Sequence, residues 1–137
     1  MGEVRAHVRL TNAIDETLAR RGQAPPEGVR SIEADALIAT DSVRCVLPPQ
    51  VVARLGLQIV GQRVAQYAEG RLDPVGLTEP FIASVLGRDE IETAMVLGDE
   101  VIIGQTALEK LDLVVDCASQ RLIPNPAHPD QPVSKVK

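Results

Sequence analysis

Aromatic side chains are almost missing from this chain of 137 residues, which has no Trp, one Tyr (Tyr67) and one Phe (Phe81). A core must therefore be assembled from Val, Ile, Leu and Ala, and where the branched residues dominate, that favours sheet. Positive charge is also short. The net charge is −5, and no basic run interleaved with aromatics exists, which argues against nucleic acid as a general partner. Only Cys45 and Cys117 carry thiols, too few for a disulfide framework, so reduced cysteines and a cytoplasmic location are expected. No apolar stretch approaches the ~20 residues of a membrane span. The opening Met1-Gly2-Glu3-Val4-Arg5 holds no apolar signal region, and no Ser or Thr at position 6 supports lipidation of Gly2. No membrane partner and no cofactor are expected. His7 and His128 have no Cys, Asp or Glu at metal-ligand spacing, so no metal site is expected either. Ser42 has no recognisable Ser–His arrangement around it, and Cys45 reads as a buried structural thiol rather than a nucleophile.

What is present fits one globular domain. Hydrophobic residues make up 45% and charged residues 24%, enough to bury a real core. Apolar alternation predicts strands over Glu3–Leu10, Val29–Ile38, Gln58–Ala68, Arg71–Thr78, Phe81–Leu86, Glu92–Leu97, Val101–Ile103, Leu113–Cys117 and Arg121–Ile123. Gly87-Arg88-Asp89 reads as a break between two of them. Pro49 opens a short helix that Gly56 closes, and Thr106–Leu113 reads as a second. Residues 12–28 are polar and end in Pro25-Pro26-Glu27-Gly28. They read as an insertion loop, with one or two helical turns over Asp15–Arg21. From Pro124 the chain has four prolines and no apolar period. The expected layout is one mostly-β domain over residues 1–124 and a Pro-rich flexible tail over 125–137. No internal repeat is visible.

The run Ala36-Leu37-Ile38-Ala39-Thr40-Asp41-Ser42-Val43-Arg44-Cys45-Val46-Leu47-Pro48 reads as a buried strand, a tight polar turn and a second apolar run. It resembles the active-site segment of retropepsin-like aspartic proteases, in which apolar residues precede Asp-Thr-Gly or Asp-Ser-Gly and a Leu-Pro follows. Leu55-Gly56-Leu57, the polar hairpin Tyr67-Ala68-Glu69-Gly70-Arg71, and Val101-Ile102-Ile103-Gly104-Gln105 with the helical run after it extend the resemblance in order. It covers roughly residues 30 to 124 and is closest to the small bacterial single-domain members of that clan. The resemblance implies a closed, barrel-like β domain with short helices and one half-site per chain.

It also implies a chemistry. Aspartic proteases activate a water between two carboxyls, one acting as base while the other, protonated, polarises the scissile carbonyl. A chain with one motif supplies one half of that dyad, so the resemblance implies a homodimer acting on a peptide or protein substrate. Counting back from Leu47-Pro48, the catalytic Asp should stand at position 39, where this chain has Ala39. A methyl group neither takes nor gives a proton, so the chain is expected to be inactive as it stands. The retained surroundings favour a deliberate Asp-to-Ala change. A naturally non-catalytic dimer or peptide-binding module of the same fold is the alternative. A two-residue shift of register would instead make Asp41 the catalytic group. Thr40 takes the family's Thr, with β-branched strand filler as the plain reading. Tyr67, Ala68, Glu69 and Gly70 take the flap over the substrate, as any exposed hairpin would read. Ile103 and Gly104 take the supporting positions, where a Gly admits close backbone approach.

Overall fold

The computed structural model describes residues 3–137, so the expectations for Met1 and Gly2 lie outside it. Its elements in chain order are β1 (Arg5–Asn12), α1 (Ala13–Arg20), a 3-10 turn (Pro26–Gly28), β2 (Ser31–Ala39), β3 (Cys45–Leu47), α2 (Pro49–Leu55), β4 (Ile59–Gln66), β5 (Leu72–Thr78), β6 (Phe81–Val85), β7 (Arg88–Glu92), β8 (Ala94–Val96), β9 (Ile102–Gly104), α3 (Gln105–Leu111), β10 (Leu113–Asp116) and β11 (Arg121–Pro124). Nine strands form one sheet in the order β4-β5-β8-β3-β9-β2-β1-β6-β7, with β4 and β7 outermost, and β10-β11 form a separate two-stranded ribbon. Among the described residues no helix is long and apolar enough to cross a membrane.

Alternation builds the centre of this sheet. Val8, Leu10 and Asn12 point inward from β1 while the residues between them stay wetter, as the period of two demands. β1 pairs antiparallel with β2 from Arg5↔Leu37 to Thr11↔Ser31 and with β6 on its other side. Leu10, Leu47, Leu55, Phe81, Ile103 and Leu111 are fully buried between the sheet and the helices. The lone Phe thus sits in the core. Pro49 starts α2, and Gly56 ends it at φ 68°, the left-handed closure a glycine adopts without strain.

The helical turns expected within residues 12–28 are present as the two turns of α1, which begins at Ala13 rather than at Asp15. Buried Asn12 explains where it begins. Its Oδ1 accepts from Asp15 N at 3.0 Å, and its Nδ2 donates to Leu55 O at 2.8 Å. One side chain therefore caps α1 and satisfies the last carbonyl of α2. Asp15 in turn accepts from Arg30 N, Nε and Nη2 at 2.8–3.0 Å. These hydrogen bonds, the side-chain ones foremost, hold the Asp15 carboxyl below its ordinary value of 3.8. A carboxyl depressed in the fold contributes stability above its unfolded pKa, and that contribution fades as pH falls through the folded value. Asp15→Asn is therefore expected to cost on the order of 1 kcal/mol at neutral pH, discounted because Arg30 is half exposed. Urea unfolding of both forms at about pH 7 and about pH 2.5 checks this, and the gap between them should close at the lower pH.

Two further departures from the sequence reading lie towards the C-terminus. Leu86 (φ 52°) and Gly87 (φ 77°) are both left-handed and make a two-residue hairpin turn. The expected break at Gly87-Arg88-Asp89 is instead the start of β7, which pairs with β6 from Val85↔Arg88 to Phe81↔Glu92. Arg88 is only 6% exposed. Its guanidinium donates to the carbonyls of Leu111, Asp112 and His128 at 3.1, 2.8 and 2.6 Å, closing the C-terminal end of α3. Asp112, left-handed at φ 56°, accepts from Asn125 Nδ2, His128 Nδ1 and Val133 N at 3.0, 2.7 and 3.0 Å. The Pro-rich segment expected to be free is thus fastened to the domain as far as Val133. Prolines do not prevent this, because the segment is held by side chains and single amides rather than by a ladder.

Candidate active-site loop

β9 lies between β2 and β3 and determines the shape of the site. It runs parallel to β2 with Leu37↔Ile102, Ile38↔Ile103 and Ala39↔Gly104 in register, and meets β3 antiparallel at Val46↔Ile102. Residues 40–44 must cross over the end of β9 to pass from β2 to β3. They cross directly above Gly104. A Cβ on Gly104 would stand 2.5 Å from Arg44 O and 2.7 Å from Ser42 O, closer than carbon and oxygen approach. Its φ of −90° is open to any residue, so only space requires glycine here.

The loop and α3 complete each other's hydrogen bonds. α3 has no side-chain cap, and its first amides need partners. Gln105 N donates to Ser42 O at 2.7 Å and Thr106 N to Val43 O at 3.3 Å. Within the loop, Ser42 N donates to Ala39 O at 3.2 Å and Ser42 Oγ to Arg44 O at 2.9 Å. The crossing is thus a tied structure.

Ala39 is half-buried at the end of β2, while Thr40 and Asp41 are exposed in the turn. Ile103 and Gly104 are buried beneath them. Thr40 faces a groove shared with Val4, Leu108, Val115 and Cys117. Asp41 lines a different cleft, of about 380 Å³, between the loop and the β4–β5 hairpin. Ser42, Val43, Arg44, Arg63, Val64, Gln66 and Met95 complete its walls. Sequence reading did not single out Arg44 or Arg63. Nothing in their spacing marks them, because they meet only when the hairpin folds beside the loop.

The hairpin tip is shaped by Tyr67 N donating to Arg71 O at 2.9 Å and Gly70 N to Tyr67 O at 2.8 Å. Arg71 stacks 4.0 Å from the Tyr67 ring centroid and reaches Glu69 and Asp73 at 3.2 and 3.3 Å. Ala68, Glu69 and Gly70 are exposed, and Tyr67 is half-buried. The stem of this hairpin borders the cleft. The four tip residues do not line it.

Both cysteines are free; Cys45 is buried and Cys117 exposed. Burial pushes the Cys45 thiol up to about 11, which keeps it protonated and unreactive. Among the described residues no group of three or more His, Cys, Asp or Glu is gathered as a metal would need.

No family model matches the sequence, and no curated protein resembles it significantly. Solved structures do match. The retroviral protease-like domain of Ddi1 from Leishmania major is 13% identical, with a TM-score of 0.52 over 93% of this chain and 88% of that one. EIAV protease in complex with the inhibitor HBY-793 is 19% identical, with a TM-score of 0.48 over 58% of this chain and 77% of that one. Identity this low speaks to architecture alone. With nearly the whole length of both chains in the first match, the mostly-β fold carrying this loop is retropepsin-like.

Proposed function

We propose that this chain is one half of a retropepsin-type aspartic endopeptidase. It acts as a homodimer on peptide or protein substrates, and Ala39 leaves it unable to hydrolyse them as it stands. The observation that carries this reading is the register Ala39↔Gly104 beneath the crossing loop. That register puts the side chain of position 39 at the exit of β2, under the turn, while Asp41 lies out in the turn itself. Position 39 is where a carboxyl would be held by backbone on a fixed strand end, as pre-organised acid–base chemistry needs.

Pairing of two copies follows from counting. One chain supplies one such loop, and a dyad needs two. Thr40 supports the pairing. It is exposed and, among the described residues, its hydroxyl has no hydrogen-bond partner. The groove beside it has exposed Val114 and half-buried Val4 and Val115 on its apolar side, a surface that a second copy would cover. The β4–β5 hairpin serves as the flap of this reading, closing over bound peptide. A reducing compartment, the cytoplasm, goes with this reading on the low cysteine count.

A second reading rests on Ala39 itself. With no carboxyl at the dyad position, the same dimer binds peptides without cutting them.

The test is to incubate the chain as it stands, Ala39→Asp and Asp41→Ala with a mixed peptide library and to identify products by mass spectrometry. Cleavage is expected from Ala39→Asp only. Cleavage by the unaltered chain that vanishes in Asp41→Ala would move the catalytic role to Asp41. Sedimentation of the unaltered chain as a monomer at micromolar concentration would remove the dimer.

A further inference from the structure

The cleft between the loop and the hairpin stem has a charge opposite to that of the molecule. The chain carries −5 overall, yet two arginines and one carboxylate line this cleft. Arg5, Arg9, Arg30 and Arg71 all pair with carboxylates, and buried Arg88 is satisfied by carbonyls. Among the described residues Arg21, Arg44, Arg54, Arg63 and Arg121 form no ion pair, and of these Arg44 and Arg63 line this cleft. The Arg63 guanidinium reaches only Gln62 O, at 2.7 Å. Asp41 pairs with neither Arg44 nor Arg63. Val43 and Val64 are 72% and 64% exposed on the walls of the same cleft.

We propose that Arg44 and Arg63 make this cleft select peptides with an acidic side chain, Glu above all, beside the position where the backbone is held. This rests on the peptide-binding reading above and names the substrate class of that site. Guanidinium presents a planar fork of donors that matches a carboxylate in geometry as well as charge. The two methylenes of Glu fit against Val43 and Val64, which removes apolar surface from water at both partners. Asp has one methylene fewer and gains less. A basic side chain meets two like charges. In a two-fold pair of chains the same arginines recur in the second half-cleft, so the preference falls on both sides of the bound backbone. Arg44 is half-buried and Arg63 exposed, so salt should weaken the discrimination without abolishing peptide binding.

The chain as it stands serves as the probe, because binding can be read without cleavage. Fluorescein-labelled decapeptide pools with Glu or Gln at one central position are titrated by anisotropy. The Glu pool is expected to bind roughly tenfold tighter at about 0.05 M salt, with the ratio shrinking at about 0.5 M. Arg63→Gln, on an exposed strand, should bring the two pools together with an unchanged thermal midpoint, and Arg44→Gln should do the same if its circular dichroism is unaltered. Equal binding of the two pools, or selectivity surviving in Arg63→Gln, overturns the proposal. The same pools given to Ala39→Asp separate it from the reading beneath. Cleavage with no enrichment of Glu near the cut bond keeps the endopeptidase and removes the arginine pair. Neither binding nor cleavage removes both.

Discussion

Ala39→Asp is expected to convert a chain that leaves peptides intact into one that cuts them, with a bell-shaped pH profile centred in the acid range. General acid–base catalysis contributes about 10²–10⁴-fold in rate, and on the proposed reading Ala39 forgoes all of it, because a methyl offers no proton and no lone pair. In the variant, two carboxyls would meet across a two-fold axis, and like charges so close share one proton, as is established for aspartic protease dyads. Activity needs that singly protonated pair. It should fall on the acid side as the second proton binds, and on the alkaline side as the shared proton leaves. The measurement is kcat/KM against pH on a peptide found in the library. A flat profile, or the same profile from the unaltered Ala39 chain, would sink the dyad.

Gly104→Ala is expected to have the largest effect on stability of any single methyl added to the molecule. The new carbon would collide with the carbonyls of Ser42 and Arg44, which are backbone and cannot rotate away. Relief would need the crossing loop to lift, and lifting it would break the bonds from Gln105 N and Thr106 N to that loop. Overpacking of this kind costs about 3 kcal/mol, a fall of roughly 10 °C in Tm for a chain of this size. Thermal unfolding by circular dichroism reads it. A drop below about 0.5 kcal/mol, the level of an ordinary surface change, would mean that the loop rides on Gly104 without being fixed by it.

Much of the frame was legible because it is written locally. Pro49 and Gly56 bracket α2 by their own dihedral preferences. Alternation gives β1 and β2, and the order of the loop run, the hairpin and Ile102-Ile103-Gly104 gives the fold. The parts that were not legible depend on distant partners. Asn12 caps α1, but its amide is satisfied only by Leu55. Arg88 looked like part of a turn because an arginine reads as exposed. It is buried because the end of α3 and the Pro-rich segment, later in the chain, bring the carbonyls of Leu111, Asp112 and His128 to it. The Pro-rich segment read as loose because its attachment depends on Asp112, a residue in another element. Leu86 misled for a local reason: a leucine at φ 52° is uncommon, and composition alone marks no turn there. At the candidate site, spacing singled out positions 39 and 104, which stand opposite each other in the β2–β9 register, whereas it did not single out Arg44 and Arg63.

The parallel pairing of β2 with β9 joins stretches far apart in the chain, and such pairing is expected to form late. Antiparallel β1–β2 and β4–β5 join neighbouring stretches of chain and can form early. The site strand β2 has no β9 beside it, and the crossing loop no floor, until Ile102–Gly104 have been made and α3 has docked. Closing so long a loop carries an entropic cost before any contact repays it. The candidate site therefore stays unassembled until β9 and α3 have joined β2. On the proposed reading, a form with a carboxyl at position 39 would complete its dyad only after this late step, when the rest of the sheet is already in place.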